Sequence, residues 1–108
     1  MKRVTNAILP MRIKGISLAD VRRMLFKFKQ DDHEVFFTYP SDRVIVIDEN
    51  VVGLKWSVKE TEMFASQQKV AYDTMIWLTG TDQNPETAVG YFYMVPSLFT
   101  REEVESSD

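Results

Sequence analysis

The densest group of residues able to hold a metal or move a proton is Asp31-Asp32-His33-Glu34, which contains the chain's one histidine. Four adjacent residues project in different directions, whereas metal sites draw ligands from separate rigid elements or from a glycine-bearing loop with spaced oxygens. The group also lies between two apolar runs, so it reads as the polar turn of a hairpin. A hydrolytic triad would need His33 as base, yet no serine stands in a G-x-S-x-G elbow. The four glycines, Gly15, Gly53, Gly80 and Gly90, form no phosphate-cradling pattern. With no cysteine there is no thiolate ligand, thiol nucleophile or disulfide. The residues therefore predict a chain that is not an enzyme and uses no cofactor and no metal.

The rest of the sequence asks what such a chain would position instead. It has 108 residues, 44% of them hydrophobic, and a net charge of −3, which fits one domain with a genuine core. No apolar run approaches the roughly 18–20 residues of a membrane span. The start, MKRVTNAILPMRIKG, lacks the apolar core of a signal peptide, so a cytoplasm-like compartment is expected. Charge is uneven: residues 1–29 carry eight basic residues and one acid, and residues 30–108 carry five basic and fifteen acidic residues. A basic end can bind nucleic acid, but there are no Gly/Arg repeats and no dense lysine cluster here. Only Phe26-Lys27-Phe28-Lys29 interleaves aromatic and basic residues. Strand alternation sends the two kinds to opposite faces, so no nucleic-acid platform is expected.

Hydrophobic period then places the elements. Pro10 and Gly15 make residues 1–15 an extended arm. Period 2 over 21–29 predicts a strand, with a helix over 17–28 as the alternative. Strands follow at 35–39, 43–47, 51–57, 69–79 and 88–95, with turns at 30–34, 40–42, 48–50 and 80–87. Ser57 and Glu60 have capping-box spacing and predict a short helix, with Phe64 turned inward. Trp56 and Phe64 are expected to be buried together. Residues 100–108 are acidic and polar and read as a flexible tail. The expectation is an all-β fold: a small antiparallel β-sandwich of immunoglobulin-like type over 16–99, with one short helix and the extended arm.

Two surfaces follow as candidates for partner contact. The arm carries Val4, Ile8, Leu9, Met11 and Ile13, many apolar groups for a free tail, together with Arg12 and Lys14. It either packs on its own domain or docks on a neighbour. Met75 and Trp77 on one strand, and Phe92 and Met94 on another, suggest a sheet that turns aromatic and methionine side chains outward.

The order of elements resembles small proteins from the tail and baseplate regions of phages and prophages of Gram-positive bacteria. Their pattern is F-x-F-x-Q, then L-T-x-E-E-T-x-x-F, then v-x-v-R-v-x-L. The corresponding stretches are Phe26-Lys27-Phe28-Lys29-Gln30, then Leu54 to Phe64, then Asp73-Thr74-Met75-Ile76-Trp77-Leu78. The likeness spans residues 21–95 and extends to the sandwich domain at the start of upper baseplate proteins. The chain departs from it at Trp56-Ser57, where the family more often has Leu-Thr, and at Thr74-Met75, where it often has a basic residue. The resemblance implies a non-catalytic virion component made in the bacterial host cytoplasm. Its partners would be other copies of itself or larger phage structural proteins, with neither nucleic acid nor membrane. The alternative is a small inhibitor or accessory protein that binds a host or phage protein through its acidic surface.

Overall fold

The computed structural model describes residues 1–85, 90–94 and 96–106. Within these, two antiparallel sheets pack face to face. The smaller has the order β1-β5-β4, from β1 (Ala7–Arg12), β4 (Val44–Asp48) and β5 (Val51–Trp56). The larger has the order β3-β2-β6-β7, from β2 (Val21–Gln30), β3 (His33–Tyr39), β6 (Lys69–Leu78) and β7 (Gly90–Tyr93). With β1 taken as strand B, these are the B-E-D and C′-C-F-G orders of the immunoglobulin sandwich.

Alternation decides which side chains enter the core. In β2, Met24, Phe26, Phe28 and Gln30 are buried, and Lys27 and Lys29 are exposed. In β5, Val52, Leu54 and Trp56 point inward. The sheets meet in an aromatic cluster, where the Phe28 ring lies 4.8 Å from Trp56 and 5.8 Å from Phe37, both edge-on. Phe64 is fully buried and closes the cluster 5.9 Å from Trp56. The expected burial of Trp56 and Phe64 is met: the end of β5 and the segment after the helix share this contact.

The crossing from β5 to β6 carries α1 (Val58–Met63). Ser57 caps it by accepting from the Glu60 amide, and the Glu60 carboxylate accepts from the Ser57 amide, as the capping-box spacing predicts. Gln30, the last residue of F-x-F-x-Q, is buried and ties the end of β2 to the segment after α1. Its side chain accepts from the Ala65 amide at 2.6 Å and donates to the Ala65 carbonyl at 3.0 Å. Arg43 lies over the Phe37 ring, donates to the Lys55 carbonyl and pairs with Glu60, closing one end of the sandwich.

Two expectations change, and one alternative falls away beside the strand that β2 bears out. Residues 1–15 are no separate arm: β1 pairs with β5 over six residues, and Val4 and Ile13 are buried. Pro10 is tolerated because it lies opposite Gly53 on an edge strand. The Lys55 amide bonds the Arg43 carbonyl, so positions 55 and 53 address β4, and Pro10's missing donor faces the open edge. Arg3 donates to the Phe64 and Glu62 carbonyls at 2.6 Å each, and the Thr61 hydroxyl bonds the Thr5 carbonyl, so this segment is stitched to α1 as well. Secondly, the polar tail holds a second helix, α2 (Arg101–Glu105), capped by Thr100 and Glu103 in the same reciprocal manner as α1. The helix alternative over 17–28 is reduced to a 3-10 turn, Leu18–Asp20, capped by Ser17 and leading into β2. The expected strand over 88–95 is described as Gly90–Tyr93, while residues 86–89, Val95 and residues 107–108 lie outside the described residues.

Candidate interaction surface

Asp31-Asp32-His33-Glu34 is resolved as the end of a hairpin. Gln30 pairs with His33, so Asp31 and Asp32 form a two-residue turn in which Asp31 takes φ 52°, a conformation aspartate tolerates. All four residues are exposed. Among the described residues no group of three or more His, Asp or Glu side chains is placed to hold a metal ion. No described helix is long and apolar enough to cross a membrane.

The surface with the most distinctive chemistry is the outer face of the larger sheet. Register sets its rows. Arg23 lies beside Trp77, and across β3, β2 and β6 the rows run Thr38-Leu25-Met75, Phe36-Lys27-Asp73 and Glu34-Lys29-Ala71. Phe36 and Met75 remain 47% and 45% exposed, and Tyr93 on β7 is 48% exposed. The Arg23 guanidinium lies 4.7 Å from the Trp77 ring centre and covers it. At the end of this face Arg22, Arg23, Thr38, Tyr39, Pro40 and Trp77 line a cleft of about 500 Å³. A strand-by-strand reading misses the pairing of Lys27 with Phe36, because alternation separates aromatic from basic residues within β2 while the neighbouring strand brings them together.

The outer face of the smaller sheet is aliphatic. Ile8, Ile45 and Ile47 close over Gly53, where a Cβ would stand 2.7 Å from Ile8 and 2.9 Å from Ile47. A bulge between Val46 and Asp48 leaves Val46 and Ile47 57% and 51% exposed.

The residues expected to contact partners divide accordingly. Val4, Ile13 and Met94 are core residues. Phe92 pairs with Val70, so it turns inward and packs 6.0 Å from Phe28. Phe92 and Met94 therefore do not share a face with Met75 and Trp77, which do point outward. Leu9 and Met11 are half-buried against the core. Ile8, Arg12 and Lys14 are exposed on or beside the smaller sheet, and Arg12 donates to the Asn50 side chain. Phe36, Leu25 and Tyr93 belong to the outward surface and were not among the expected residues. No family model, curated protein or solved structure matches the chain.

Proposed function

We propose that the chain is a non-catalytic virion structural protein of the phage tail or baseplate type. It would work in the particle through repeated contacts with copies of itself or with larger structural proteins. The observation that supports this reading best is the outer face of the larger sheet. Leu25, Phe36, Met75 and Trp77 are held in register on a rigid frame with charged neighbours, the mixture typical of protein contact surfaces. The frame suits repetition, because a sandwich with most of its apolar mass in one core keeps its outer faces in fixed geometry. The test is mass spectrometry and sedimentation of particles purified from the source. The chain should travel with virions at a fixed ratio to known tail components. A chain found only in the soluble fraction of infected cells would favour the inhibitor reading instead.

A further inference from the structure

We propose that the free edge of β3 is a self-docking site: two copies join there antiparallel about a two-fold axis through Phe36, fusing their four-stranded sheets into one of eight strands. This rests on the assembly reading above and names its partner as a second copy of the chain. The open groups follow from register. Gln30 and His33 close the two-residue hairpin as a hydrogen-bonded pair. Counting in twos along the ladder, His33, Val35, Phe37 and Tyr39 direct their amides and carbonyls to β2, while Glu34, Phe36 and Thr38 direct theirs outward. β3 is the outermost strand of its sheet, and among the described residues no turn, loop or side chain bonds the backbone of those three.

The other described edges of the sandwich carry features that discourage pairing. β1 has Pro10, β4 is five residues long with a bulge, and β7, the far edge of the larger sheet, is only four residues long. β3 runs seven residues with no proline, lysine or register shift. Placed against itself about Phe36, it sets Glu34 opposite Thr38 of the second copy and Phe36 opposite Phe36. Three residues per copy, each with one donor and one acceptor, then make six backbone bonds. The exposed Phe36 rings meet on the outer face, flanked on each side by Lys27 and Asp73.

Charge selects a second copy rather than an arbitrary strand. The same register carries the acidic turn of one copy, Asp31-Asp32 with Glu34, onto the end of β3 in the other. That end holds Thr38, Tyr39 and Pro40, which share their cleft with Arg22 and Arg23. The two-fold repeats this acid-to-arginine contact at both ends, so the edge is complementary to itself.

The test uses the full chain, which lacks cysteine and so accepts a single reporter thiol. At about 100 μM, where a micromolar contact is saturated, light scattering should give twice the 12.6 kDa chain mass. Phe36→Lys, at an exposed position, should give the single-chain mass with unchanged circular dichroism. Position 36 would face itself at roughly 5.5 Å between Cα atoms, within disulfide reach. Under mild oxidation Phe36→Cys should therefore cross-link about tenfold faster than Val46→Cys, although Val46 is the more exposed of the two, since held geometry outpaces collision. A wild-type chain that stays monomeric, a Phe36→Lys variant that still dimerises, or equal cross-linking at 36 and 46 would each overturn the proposal. A monomeric chain that nonetheless sediments with virions would overturn this edge alone and leave the assembly reading standing.

Discussion

The two outer faces of the sandwich are built to opposite ends. On the smaller sheet the aliphatic side chains of Ile8, Ile45 and Ile47 fold down onto Gly53 and fill the space a side chain there would take. Proline on one edge and a bulge on the other discourage further pairing. On the larger sheet the side chains stand up from the surface, aromatic beside basic, and the β3 edge is regular. The same fold thus makes one outer face aliphatic and the other mixed aromatic and charged, with Ile8 and Ile47 as exposed as Phe36 and Met75, and the difference lies in which residues face outward rather than in topology.

The largest expected effect tests whether the smaller sheet depends on its first strand. Deleting residues 1–14 removes β1 with Val4 and Ile13 and strips β5 of one neighbour. Cooperative thermal unfolding should be lost; a truncated chain with a normal melting transition would show that β1 is dispensable. Next is the core between the sheets. Trp56→Ala should cost roughly 3–5 kcal/mol in urea unfolding, because Phe28, Phe37 and Phe64 all pack on that indole. A third substitution probes the aliphatic face directly. Gly53→Val must displace Ile8, Ile45 and Ile47 and should cost about 1–3 kcal/mol; a neutral result would mean that this face yields as easily as the other. The smallest effect belongs to the mixed face. Met75→Lys should leave stability within about 0.5 kcal/mol while weakening whatever binds there. A large loss of stability would make Met75 structural and erase the contrast.

Much of the frame was legible because period 2 is a strong signal when Phe26 and Phe28 alternate with lysines, and because Ser57 and Glu60 spell a cap. β1 was not, since Pro10 reads as a breaker unless the strand is known to lie at an edge with its nitrogen outward. Thr100 and Glu103 have the same capping spacing as Ser57 and Glu60 and mark α2, but the acidic, polar composition of residues 100–108 carries the opposite signal. The outward surface was half legible. Alternation grouped Met75 with Trp77 correctly, but the side on which Phe92 and Met94 fall depends on pairing with Val70, a long-range register that no local pattern carries. For the same reason Phe36 went unnoticed: its partner Lys27 is nine residues away and meets it only across the ladder.

The two tryptophans occupy different settings, one in the core and one on the outer face of the larger sheet, with an optical consequence. Trp56 is sealed among aromatic rings, and Trp77 lies partly buried under Arg23 at the rim of the cleft. Emission from the first should be blue-shifted and shielded from dissolved quenchers until the chain unfolds. Emission from the second should be quenched readily by iodide, which the neighbouring guanidinium draws in. One unlabelled sample thus carries separate fluorescent gauges, one for the integrity of the core and one for whatever comes to cover the outer face.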